Sequence, residues 1–275
     1  MTAPTFKTVL CAVDLSSHAE AALYLAAGLS FAPASRLVVL MVDDRAAGDA
    51  AGDDGDRLEA RVELGDFVRR VLPGPAGYRT GLDLEVLAGP PAETILAMAG
   101  EIDADLIVVG TRGRGTLSRA LFGSTTGELL RNTRMPIAVV PPTHPEVVAI
   151  SPTHAEAHLG IILVPVDLER AVSRQLLFAA RLSPGSGHHL LLMHVTESEA
   201  AVAPASSRLA ELALEVPSAR GWRVLAKAGT ITQEVLAIAR HEPAGVVVLG
   251  QSGVTPGNLA YELLHRGGAV VVVVP

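Results

Sequence analysis

Short uninterrupted runs of valine, isoleucine and leucine alternate along the chain with longer stretches whose apolar positions recur at helical spacing. In the first half the apolar runs fall at 7–13, 37–42, 83–88, 105–109 and 136–140, and the helical stretches at 17–30, 57–72, 91–100 and 124–133. A strand without polar alternation is covered on both faces, and strand–helix alternation brings each strand back parallel to the last. The pattern therefore predicts an α/β fold, a parallel sheet with helices on both faces. Ser17-His18-Ala19-Glu20 reads as a capping box that opens the first helix.

The pattern is written twice. Thr8 to Leu15 returns as Gly160 to Leu168, and Leu37 to Val42 returns as Leu190 to Val195. Gly89 with Glu93 to Ala99 returns as Gly229 with Gln233 to Ala239, and Leu106 to Gly110 returns as Val246 to Gly250. Glu128 to Pro141 aligns without a gap on Glu262 to Pro275. Five anchors in one order mark a tandem duplication. The predicted organisation is a first domain at 1–143, a linker at 144–158 and a second domain at 159–275. Proline-rich and without helical period, the linker leaves room for one short extra strand at Val147 to Ile150.

Composition narrows the function. The chain has 275 residues, 49% hydrophobic but only 3% aromatic, and a net charge of −7. That is material for sizeable cores, and it offers neither an aromatic stacking platform nor a basic field for nucleic acid. Cys11 is the single cysteine, so an internal disulfide and a multi-cysteine zinc cluster are excluded. In mid-strand it reads as a small packed hydrophobe rather than a redox centre. No apolar run approaches the length of a membrane span, and Met1 to Lys7 lacks a leader pattern, so a soluble cytoplasmic protein without membrane partners is expected. Ala46 to Asp56 carries four aspartates without the spacing of a calcium loop, and reads as a solvated loop. His154 with His158, and the pair His188-His189, lack an identifiable third ligand, so no metal site is expected.

In an open parallel sheet, ligands bind beyond the carboxyl ends of the strands where strand order reverses. Asp14 closes the first strand and Gly110 the fourth. After Gly110 come Thr111, Arg112 and Gly113, then nine residues, then Gly123-Ser124-Thr125 opening a helix. Glycines let backbone approach a phosphate, and a helix start with hydroxyl side chains attracts an anion. No Walker A sequence is present, and Gly110, Gly113 and Gly115 stand in the wrong order for a dinucleotide fingerprint. Blander readings exist: Asp14 as a helix cap, the glycines and hydroxyls as loop and cap geometry, Arg112 and Arg114 as solvated surface.

This glycine spacing, with Asp14 and the five ordered segments, resembles the universal stress protein family over nearly the whole chain, as a tandem two-domain member. The resemblance implies two doubly wound domains, each a five-stranded parallel sheet in the order 3-2-1-4-5. It implies ATP, with Mg²⁺ alongside, in the first domain. Asp14 would meet the adenosine part and the backbone of Val42 the adenine. Gly110 and Gly113 would line the ribose and phosphate path, and Gly123, Ser124 and Thr125 would hold the phosphates.

The second copy departs from that pattern. It keeps Asp167, Val195, Gly250 and Gly253, but Gly250 to Glu262 is six residues shorter than Gly110 to Glu128, and the Gly-Ser pair is lost. Asn258 and Tyr261 stand where the phosphate loop should end. The second copy is expected to be empty or to bind weakly. The expected function is a non-enzymatic, nucleotide-responsive regulator in stress response, read by a regulatory protein partner. A slow ATPase using Asp14 as base, and a nucleotide-free scaffold, are the competing readings. Apolar last strands, Ile137 to Val140 and Ala269 to Val274, are exposed edges unless paired. An intrachain pseudo-dimer of the two domains, and a homodimer of chains, are expected from them.

Overall fold

A computed structural model describes residues 6–30, 34–43, 54–72, 81–111, 123–142, 148–150, 155–157, 159–170, 172–183, 189–216, 221–242, 244–251 and 259–275. The chain divides into two compact units. The first runs through Pro142 and also takes in Val148–Ala157; the second contains His158–Pro275.

In the first unit the order is β1 (Thr8–Val13), α1 (Ser17–Leu29), β2 (Arg36–Asp43), α2 (Asp54–Val71), β3 (Leu82–Ala88), α3 (Pro91–Glu101), β4 (Leu106–Gly110), α4 (Ser124–Asn132) and β5 (Ile137–Val140). The strands pair in parallel as β3-β2-β1-β4-β5, so β1 is central and the order reverses between β1 and β4. Leu10, Val38, Ile107 and Ala138 are wholly buried. Each large aliphatic side chain so covered contributes about 1.5–3 kcal/mol. Small residues on α1, Ala22 and Ala26, are also wholly buried and let this helix lie close to the sheet. Gly81 enters β3 at φ +82°, where an added Cβ would stand 2.7 Å from the Ser35 carbonyl.

The helix start differs from the predicted capping box. Ser16, not Ser17, is the N-cap of α1, and its side chain accepts from the Ala19 N–H. Glu20 then lies one position too far along to close a box, and it pairs instead with Arg70 of α2 at 2.6 Å. Two adjacent serines offer the same cap chemistry; the turn geometry before them selects the first.

The stretch read as linker carries a hairpin. β6 (Val148–Ile150) pairs antiparallel with β7 (Ala155–Ala157), and both lie against α1 within the first unit. β6 falls in the Val147 to Ile150 stretch left open for one strand, and the unforeseen β7, three residues long, is too short to show a period.

The second unit repeats the first: β8 (Ile161–Pro165), α5 (Ser173–Leu182), β9 (His189–Thr196), α6 (Val202–Glu215), β10 (Trp222–Ala228), α7 (Ile231–His241), β11 (Ala244–Gly250), α8 (Leu259–Glu262) and β12 (Val270–Val274). Its strands pair in parallel as β10-β9-β8-β11-β12. α8 keeps only four residues of α-helix, continues as a π-helical stretch over Leu263–Gly267, and ends on Gly268 at φ +66°. Among the described residues, no helix is long and apolar enough to cross a membrane.

Candidate functional site

The crevice of the first unit is set by register. Ala12 of β1 pairs with Val109 of β4, so Asp14 and Gly110 leave neighbouring strands almost side by side. Asp14 begins a tight turn into α1. Its Oδ1 accepts from the Ser16 N–H at 3.1 Å and from the Ser16 hydroxyl at 2.6 Å. Between them Leu15 sits at φ +61°, a left-handed backbone that a leucine rarely adopts. Strain of this kind costs about 1–3 kcal/mol and gathers at functional turns. Asp14 is thus half-buried, with one oxygen already held by the turn.

Across the crevice, Thr111 after β4 and Gly123 before α4 are bonded to one another. The Gly123 N–H donates to the Thr111 carbonyl at 3.0 Å, and the Thr111 N–H donates to the Val140 carbonyl at 3.2 Å. The buried Thr126 hydroxyl donates to the Gly110 carbonyl at 2.9 Å. These bonds hold the start of α4 against the end of β4. Gly123 is the N-cap of α4 and supplies no side-chain acceptor to its first turn. Such a helix start presents backbone donors and a positive dipole end to an anion. Ser124 is exposed and Thr125 half-buried, so both hydroxyls stand at that end.

Of the residues singled out in the sequence, Asp14, Gly110, Gly123, Ser124 and Thr125 come to this one crevice. Val42 lies near the end of β2, which flanks β1 on the other side, and is half-buried. Gly113, Arg112 and Arg114 lie outside the described residues. Ser16, Thr111 and Thr126 belong to the same arrangement although the motif did not name them. Thr126 had a signal, a third hydroxyl following Gly-Ser-Thr. Cys11, wholly buried in β1, has its thiol pKa pushed far up by burial and takes no part.

In the second unit the turn is kept but occupied differently. Asp167 Oδ1 accepts from the Glu169 N–H at 3.0 Å, and Arg170 Nε lies 3.2 Å from its other oxygen. Val195 is half-buried and Gln251 exposed after Gly250; Gly253 and Asn258 lie outside the described residues. The His194 Nδ1–H donates to the Val166 carbonyl at 2.8 Å. Of the histidines weighed as ligands, His189 is exposed and His154, His158 and His188 lie outside the described residues. Among the described residues, no three histidine, cysteine, aspartate or glutamate side chains gather as a metal site.

Residues 5–141 match the model of the universal stress protein family. A universal stress protein of Thermus aquaticus is 34% identical over 137 residues, which is 49% of this chain and 98% of that protein. The chain belongs to the universal stress protein family. A second relative, from Synechocystis, is 30% identical over 138 residues, 50% of this chain and 86% of its own length. Both relatives are thus matched nearly whole by about half of this chain, as a tandem family member requires. A universal stress protein structure from Archaeoglobus fulgidus covers 98% of the chain and 96% of its own, with a TM-score of 0.69 at 18% identity. The likeness at that identity is one of fold, and it extends over both repeats.

Proposed function

We propose that the first unit binds ATP in the crevice between β1 and β4, and that the chain works as a nucleotide-responsive regulator rather than by turnover. The observation that carries this reading is the pinning of the α4 start to the end of β4, Gly123 to Thr111 and Thr126 to Gly110. It holds a helix start without a side-chain cap at the end of β4, the strand beside β1, whose own end carries the turn-held carboxylate of Asp14. Phosphates would lie on the backbone N–H groups and hydroxyls of Ser124 and Thr125. Mg²⁺ fits as an ion held through those phosphates, since Mg²⁺ takes few protein ligands of its own. Asp14 would accept from the ribose hydroxyls, and the Val42 backbone would meet the adenine.

A general base should be unencumbered, whereas Asp14 Oδ1 already accepts two hydrogen bonds from Ser16. That favours binding over hydrolysis. Titration calorimetry of ATP with Mg²⁺ into stripped protein, beside a phosphate-release assay, tests both parts. Saturable heat with release slower than about 1 s⁻¹, the low end of ordinary enzymes, fits the proposal. Absent heat together with an unchanged melting curve removes the nucleotide and leaves a scaffold. A homodimer of chains belongs to the same reading, and light scattering that finds only a 28.5 kDa species removes it.

A further inference from the structure

The two crevices differ beneath their loops, in the sheet itself. Just before β1, Lys7 turns its carbonyl to β2, accepting from Arg36, and Thr8, the first residue of β1, turns its own toward β4, accepting from Asp105. Alternate residues of a strand in a parallel sheet face opposite neighbours, so Ala12 faces β4. Just before β8, Gly160 turns its carbonyl to β9, accepting from His189. The position matching Ala12, Pro165, therefore faces β11. Proline has no N–H to give a neighbouring strand. The pairing of β8 with β11 ends at Leu163–Val247, whereas β1 stays paired with β4 through Ala12–Val109.

Gln175 fills the place so opened. It stands on α5 where the first unit has Ala22. Its Nε2 donates to the Pro165 carbonyl at 2.8 Å and to the Val248 carbonyl at 2.7 Å. The second bond supplies the donor that Pro165 lacks. Gln175 is only 6% exposed, and its Oε1 would stand 3.4 Å from a Cβ built on Gly250. The side chain thus spans the parted ends of the two strands directly under the first residue of the shortened loop. Arg170, at 73% side-chain exposure, adds an outer pairing to Asp167 that contributes little by itself.

We propose that Gln175 is a built-in plug: with Pro165 it seals the second crevice, so that unit two takes no nucleotide and the chain carries one site. This rests on the nucleotide reading of the first unit and adds the residue that makes the two units unequal.

The test is nuclear magnetic resonance on the ¹⁵N-labelled full chain, with adenosine and ATP–Mg²⁺ as probes. In the wild-type chain the Gln175 side-chain amide should exchange with solvent at least about tenfold more slowly than that of the exposed Gln251. Millimolar adenosine should shift amides at 109–111 and 123–126 and leave 161–167 and 246–251 unmoved. In the Pro165→Ala/Gln175→Ala chain, which restores the first unit's residues, adenosine should newly shift amides at 161–167 and 246–251. Adenosine-induced shifts of the second set in the wild type, fast exchange at Gln175, or a folded double variant that stays unresponsive would each overturn the plug. Should the double variant fail to fold, the two wild-type readouts decide. Failure of the nucleotide reading has a separate signature: no shift at 109–111 or 123–126, whatever Gln175 does.

Discussion

The Ser16 hydroxyl donates to Asp14 Oδ1 at 2.6 Å while its oxygen accepts from the Ala19 N–H, so the residue that caps α1 also orients the crevice carboxylate. Fold and site share one side chain there. Ser16→Ala should cost about 1 kcal/mol of stability through the lost cap. It should also weaken ATP binding in calorimetry. Ser17→Ala, one residue on and exposed, should leave the melting temperature and the affinity unchanged. Equal losses from both would refute the assignment of the cap.

Leu15 at φ +61° makes a second prediction. A β-branched side chain is a worse occupant of left-handed backbone than leucine. Leu15→Val should lower stability by about 1–2 kcal/mol in urea unfolding, whereas Leu15→Asn should cost nothing or stabilise. If valine were neutral, the turn would have relaxed out of the left-handed region.

Thr126 is buried and its hydroxyl reaches Gly110. Thr126→Val keeps the shape but leaves that carbonyl without its donor, at about 1 kcal/mol. Nucleotide affinity should fall along with stability, because the start of α4 loses its tie to β4. Thr126→Ser should restore both.

Gly123→Val and Ser124→Ala act on the phosphate end alone. Gly123 has φ −61°, which valine tolerates, so both chains should fold; Ser124→Ala should melt close to the wild type and Gly123→Val somewhat lower, valine being a poorer N-cap than glycine. Ser124→Ala should weaken ATP binding by about tenfold, one charge-assisted hydrogen bond's worth, and Gly123→Val should weaken it by crowding the approach of the phosphates to the helix start. Unchanged binding would move the phosphates elsewhere.

Cys11 ties stability to alkaline pH. Burial raises its folded pKa far above that of the unfolded thiol, about 8.5. The native chain therefore keeps a proton that the unfolded chain releases, and this contribution is fully present below about pH 8.5. Above that, stability should fall by up to about 1.4 kcal/mol per pH unit from this group. Comparing wild type with Cys11→Ala between pH 8 and 10, roughly the range around the unfolded thiol's pKa, isolates the effect, and the alanine chain should show the flatter slope.

Much of the fold could be read in advance because its strands are covered on both faces and so appear as unbroken apolar runs. β1, β2 and β4 lie within a residue or so of their predicted bounds. The crevice was legible from Asp14 and the Gly110 to Thr125 spacing, since backbone approach needs glycine wherever it occurs. What stayed hidden depends on partners distant in sequence. Gln175 reads as one polar residue in a helix until Val248, 73 positions on, is seen to need its amide. Pro165 was the available signal, a proline inside a central strand, where a ladder bond must be missing.

The β6–β7 hairpin moves the seam of the duplication. By sequence the first repeat closes at Pro141, but its helix α1 is covered by backbone supplied as far on as Ala157. A first unit cut at Pro142 would expose that face of α1, and one ending at Ala157 would keep it covered. Val148–Ala157, which lies between the copies in sequence, thus belongs to the first copy, and trimming that copy to the bounds of its repeat would strip away part of its own packing.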